Sequence, residues 1–164
     1  MIMNFIRENK IAAAIVMLLR FYIGYQWLTA GFSKITSGSF DASGFMKMAS
    51  ENSEVPGWWA SFLNTVALPN QEFFTFIVMW GELLVGLALI LGIFTNFAAL
   101  MGITMNLAFL FSGAGVVNVE MAILTVFIVI AGNNAGRIGL DRWVIAMVAN
   151  KFFTKQEKDK VALT

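Results

Sequence analysis

The chain contains no cysteine and no histidine among its 164 residues, and only two prolines. Without cysteine, no disulfide, iron–sulfur cluster or thiol relay can be built from this chain. Without histidine the commonest metal and haem ligand is missing, so no metal centre is expected. Redox chemistry would need a diffusible cofactor or a partner protein. Charge is also scarce: 13% of residues are Asp, Glu, Lys or Arg, against about 25% in soluble domains. The net charge of +1 carries no signal for nucleic acid, and none is expected as a partner.

What remains is apolar. Hydrophobic types make up 59% of the chain, with sixteen Phe and ten Met, and the mean hydropathy is +0.75. A soluble fold could not cover so many continuous apolar runs, so the composition predicts an all-α integral membrane protein with the lipid bilayer around it. Roughly twenty apolar residues cross a bilayer. Four segments qualify, at about 11–31, 73–93, 97–112 and 116–133. An open four-strand sheet would leave unpaired edges in lipid, so these are read as helices forming a four-transmembrane-helix bundle. The first apolar run outlasts the 7–15 residues of a signal h-region and ends without a small-residue cleavage site, which predicts an uncleaved span.

A long segment, 35–72, separates the first two spans. In it Phe45, Met46, Met48 and Ala49 cluster, and Trp58, Trp59, Phe62, Leu63 and Val66 recur at helical spacing. This predicts one or two short amphipathic helices on the outer membrane surface, serving as a lid, a tie between helices or a substrate-facing cap. Arg7 and Lys10 precede the first span, and Arg137, Arg142, Lys151, Lys155, Lys158 and Lys160 follow the fourth. The other side has only Lys34 and Lys47. The positive-inside rule then places both termini in the cytoplasm, as an even number of spans requires. Residues 1–150 read as one transmembrane domain. Its glycine-bearing end, 132–139, suggests a loosened helix end, 141–153 is expected to run along the inner interface, and 151–164 is expected to be a mobile charged tail.

Each span carries one polar residue near its middle: Arg20, Glu82, Asn106 and Thr125. A lone charge at the bilayer centre costs roughly 2.5–3.5 kcal/mol even on the lenient scale, so Arg20 is expected to pair with Glu82. Asn106 and Thr125 would take the remaining hydrogen bonds. Arg20, Gly24, Trp27, Gly31 and Lys34 form one stripe, as do Glu82, Gly86, Leu89 and Ile93, and Ala99, Gly102, Asn106, Phe109 and Gly113. A second polar level would gather Gln26, Trp27, Lys34, Asn118 and Glu120, with Lys34 paired to Glu120 or to Asp41. Such pairs could be assembly glue alone. They could instead line a cavity for a small lipophilic molecule, walled by Tyr22, Tyr25, Gln26 and Trp27. A quinone suits that cavity, since Arg20, Lys34, Gln26 or Trp27 could donate to its carbonyls. No hydrolase triad, phosphate loop or metal-ligand cluster is present, and the one GxxxG, Gly132–Gly136, leaves a homo-oligomer open.

Three motifs then stand out: Arg20, Gly24, Gly31 and Lys34; Glu82, Gly86, Gly92 and Thr95; and Gly136, Arg137, Leu140 and Asp141. Together they resemble the DoxX/DoxD family of small four-helix bacterial membrane proteins, over about Leu19 to Trp143. Gly139 stands where many members carry Ser. The resemblance implies a multi-pass protein of the bacterial plasma membrane, associated with respiratory or thiol redox systems. The function expected on these grounds is a membrane subunit that binds a quinone-like lipid near Arg20 and Glu82 and works with a partner oxidoreductase. The alternative is a non-enzymatic transporter or scaffold for a small hydrophobic solute.

Overall fold

The computed structural model describes residues 2–144 and 147. The tail at 151–164, its four lysines and most of the expected inner-interface segment lie outside the described residues. Those described form helices and turns, with no strand among them. A short helix α1 (Ile2–Glu8) leads into α2 (Lys10–Ser37), whose first turn is capped by the Asn9 side chain accepting from the Ile11 N–H at 2.7 Å. At 28 residues, α2 is about 42 Å long at 1.5 Å per residue, longer than the ~30 Å hydrocarbon core. It ends at Gly38 in the left-handed conformation, φ 64°.

The outer segment supplies α3 (Ser43–Glu51) and α4 (Gly57–Phe62). The latter runs on through a π-turn (Leu63–Ala67) and a 3-10 turn (Leu68–Asn70) into α5 (Gln71–Leu91). The second membrane-length helical stretch is therefore Gly57–Leu91, beginning well before residue 73. Pro69 does not end it, because proline is accommodated where the next helical turn starts. The Asn70 side chain donates to the Val66 carbonyl at 2.8 Å beside it.

Two left-handed residues, Gly92 (φ 65°) and Phe94 (φ 48°), turn the chain sharply into α6 (Thr95–Phe111). After Gly113, α7 (Val116–Ala131) passes into a 3-10 turn, Gly132–Ala135. Three helical stretches, Lys10–Ser37, Gly57–Leu91 and Val116–Ala135, are long and apolar enough to cross a membrane, and α6 is a shorter apolar helix. Their outward faces carry exposed Leu18, Phe21, Phe76, Leu84, Phe97 and Phe127, an apolar surface that water would not tolerate but lipid does.

The most extensive helix pairing is between α2 and α5, and glycines set it. A Cβ at Gly24 would meet Ile90, one at Gly86 would meet the Leu28 backbone, and one at Gly31 would meet the Leu83 backbone. The two backbones thus touch in antiparallel register, as small residues allow in lipid. Ile23, Trp27, Val85 and Leu89 of this pair pack with Ala98 and Ala99 of α6 and Met121 and Ile128 of α7. The three stripes read from the sequence lie on buried or part-buried faces, apart from Gly113 at the end of the third, which is exposed. A smaller second core, Ala42, Met46, Ala49, Val55, Leu63 and Ala67, holds the outer helices together.

Candidate ligand-binding site

The α2–α5 register separates the two charges expected to pair. Extended from the glycine contacts, it sets Arg20 opposite the Gly92–Phe94 turn. That turn lies some twelve residues beyond Glu82, or about 18 Å along the helices at 1.5 Å per residue. Arg20 is not the partner of Glu82. Its guanidinium donates to the carbonyls of Ala135 and Ile138, both at 2.8 Å. These belong to the irregular segment after α7, whose carbonyls have no intrahelical partners. Buried irregular backbone is tolerated when protein groups satisfy it, and Arg20 does so. The same corner is closed by Asp141, whose carboxylate accepts from the Thr95 N–H at 3.0 Å while its own N–H donates to the Gly92 carbonyl at 2.7 Å. Asp141 therefore caps α6 from 46 residues away. A Cβ at Gly139 would press on Gly92 and on the Arg20 guanidinium.

Glu82 is paired instead with Lys34, Nζ to Oε2 2.5 Å, the one ion pair among the described residues. The Lys34 side chain is 25% exposed and that of Glu82 3%. Neither alternative partner of Lys34 is used: Glu120 accepts from the Tyr22 hydroxyl at 3.1 Å, and Asp41 accepts from Ser43. Hydrogen bonds from Ser43 hold the Asp41 carboxyl below the usual carboxylate range.

The Lys34–Glu82 pair forms one wall of a cavity of about 710 Å³. Gln26, Trp27 and Asn118 add polar groups, as expected of the second polar level, and Glu120 does not reach it. The remaining lining is apolar. Val78 and Phe74 come from α5, Phe109 from α6 and Met121 from α7, while the outer helices contribute Phe45, Met46, Trp59 and Phe62. The Trp-bearing segment thus covers the cavity. It is tied down where Trp59 Nε1 donates to Ser112 Oγ at 2.8 Å, and Trp59 stacks on Phe62 with ring centroids 5.0 Å apart.

Other expected site residues lie elsewhere. Tyr25 is 61% exposed on the outer face of α2 and is no part of the wall. Thr125 is buried but donates to the Met121 carbonyl of its own helix at 2.6 Å. Asn106 is fully buried, and both polar atoms of its amide lack partners, as does the Trp27 indole N–H. Trp27 and Asn106 face one region of the core, since a Cβ at Gly102, one turn before Asn106, would lie 3.2 Å from Trp27 Nε1. Sequence reasoning missed Trp59, Phe62, Met46 and Phe74 as lining residues. For Trp59, Phe62 and Met46 the signal was the apolar clustering and helical spacing of the outer segment; Phe74, inside the second span, carried none.

Apolar helices of membrane length packed around an internal cavity define a multi-pass membrane protein. The chain matches the DoxX family over residues 15–115, from α2 to the end of α6, and belongs to that family. Comparisons with curated proteins and with solved structures gave no match.

Proposed function

We propose that this DoxX protein binds a flat, lipophilic molecule of quinone type beneath the outer helices and works with a partner oxidoreductase. The observation that carries this reading is the cavity itself. Its volume of about 710 Å³ falls in the range of roughly 300–1,000 Å³ typical of ligand sites. Its walls are aromatic and aliphatic, and its few polar groups converge from α2, α5 and α7. Those groups suit a quinone: Lys34, Gln26 and Asn118 are donors for carbonyl oxygens, and Trp59 and Phe62 offer ring faces to a planar head. A quinone bound there would supply two-electron carriage, for which the chain has no cysteine pair or histidine ligand set of its own. The chain's own part is to orient the head, exclude water and accept or release a proton at Glu82, whose ionised form Lys34 balances. Arg20 belongs to the folding of the closing corner, not to this site.

The reading includes a single domain of four spans over residues 1–150, with both termini cytoplasmic. The excess of arginine and lysine before the first span and after the fourth supports that orientation. Under it, the cavity opens toward the outer half of the membrane.

Purification in a mild non-ionic detergent, followed by solvent extraction and mass spectrometry, tests the proposal. A quinone at near-stoichiometric level is expected, retained by Arg20→Lys and lost from Glu82→Gln. Extracts no richer in quinone than a detergent blank would overturn it. A non-enzymatic transporter or scaffold for a hydrophobic solute could use the same cavity. It is favoured by the outer helices that cover the cavity, and would show Glu82-dependent solute uptake without bound quinone.

A further inference from the structure

We infer that the opposite end of the molecule holds the phosphate group of an anionic phospholipid. A second cavity of about 360 Å³ lies where α1, the end of α7 and the closing segment meet, lined by Arg7, Glu8, Asn133, Asn134, Arg137 and Asp141 with Gly136 and Arg142. Three guanidiniums therefore face one space. None forms an ion pair among the described residues. Arg7 spends only its Nε on the Ile130 carbonyl, at 3.2 Å. Arg137 spends only its Nη1, on the Glu8 carbonyl at 2.7 Å and more loosely on Asn134. With five N–H donors per guanidinium, both keep donors in hand, and Arg142 makes no protein hydrogen bond among those described. Unspent, planar donor forks converging on one cavity match phosphate oxygens.

Two features select a lipid phosphodiester over a free phosphate. Glu8 and Asp141 also line the cavity, so three guanidiniums and two carboxylates leave a net charge of +1. That matches the single, fixed negative charge of a phosphodiester, whereas free phosphate is a mixture of singly and doubly charged forms near pH 7. Next to the lining residues in sequence are apolar side chains left open among the described residues: Phe5, Ile138, Leu140 and Trp143 are each between 42% and 61% exposed. They offer acyl chains a surface beside the headgroup. Arg142 lies over the Trp143 ring, 5.1 Å from its centroid, as is usual for a tryptophan and a basic side chain at a membrane–water boundary. Asn134 stiffens the floor of the site by donating to the Ile6 and Asn9 carbonyls at 2.8 and 3.0 Å. This site is independent of the quinone reading.

The full-length protein, delipidated in a neutral detergent, is titrated with phosphatidylglycerol, phosphatidylcholine or inorganic phosphate. Lipid adducts are counted by native mass spectrometry and thermal unfolding is followed in parallel. Phosphatidylglycerol alone should bind and raise the unfolding temperature, less so as salt increases. Arg142→Gln should weaken its binding roughly fivefold, the effect of one basic residue near an anionic surface. It should leave unfolding in lipid-free detergent unchanged, and Arg142→Lys should lose less. Equal binding of the two lipids, equal protection by inorganic phosphate, or an unaltered affinity in Arg142→Gln would each overturn the inference.

Discussion

Lys34 and Glu82 meet across the α2–α5 seam at 2.5 Å, with the carboxylate almost wholly inside the protein and the lysine reaching in from its rim. A buried carboxylate deprived of its cation is expensive, commonly 3–5 kcal/mol. Lys34→Met should therefore lower stability in detergent by about 2–4 kcal/mol, the range being reduced by the lysine's partial exposure. The double variant Lys34→Met/Glu82→Leu should recover at least half of that. A double-mutant cycle on thermal unfolding measures it, and additive losses would mean that the two groups do not act as a pair.

The α2–α5 register makes a steric prediction. Gly86→Ala pushes a methyl group into the Leu28 backbone, and a backbone cannot swing aside as a side chain can. A loss of about 1–3 kcal/mol is expected, as for other overpacked interiors. Gly44→Ala serves as the control. It lies within α3 with no atom near its added Cβ and should gain about 0.5–1 kcal/mol from helix propensity. Equal effects at the two positions would refute the close seam.

Arg20 donates to two carbonyls of the segment after α7. Arg20→Met removes two charged hydrogen bonds worth about 1.5–3 kcal/mol each and should destabilise strongly, with increased hydrogen exchange in the Gly92–Thr95 turn. Arg20→Lys should destabilise less and leave ligand content per folded molecule unaltered. Loss of ligand from well-folded Arg20→Lys would place this residue back in the binding site.

Trp59 anchors the lid to the end of α6. Trp59→Phe keeps the ring and removes the indole N–H, so a stability change of about 1 kcal/mol is expected. Ligand release should be faster, because the outer helices open more often. Dissociation rates from the purified protein check this. A rate unchanged in both Trp59→Phe and Ser112→Ala would show that the bond does not gate the cavity.

Much of this architecture was legible in the residues. Apolar run lengths indicated the helical segments, although α2 runs on to Ser37 and the second membrane-length helical stretch begins at Gly57. The glycine and polar stripes, Gly113 apart, pointed inward as their spacing required. The aromatics at 58, 59 and 62 indicated an amphipathic outer helix. The partners of Arg20 were not legible, because they are backbone carbonyls and every residue has one. Lys34 was misassigned for a related reason. Its level was judged by counting from the ends of apolar runs, and that count cannot resolve a shift of several residues between neighbouring helices.

Sequence alone determined that this chain is helical and apolar on most faces, since these follow from composition and local periodicity. Which charge meets which was decided by tertiary structure. Three glycines let α2 and α5 touch backbone to backbone in one register. That register carries Arg20 to the closing corner and Lys34 to Glu82. A contact between residues 48 apart depends on where two helices lock, and local sequence pattern does not encode that position.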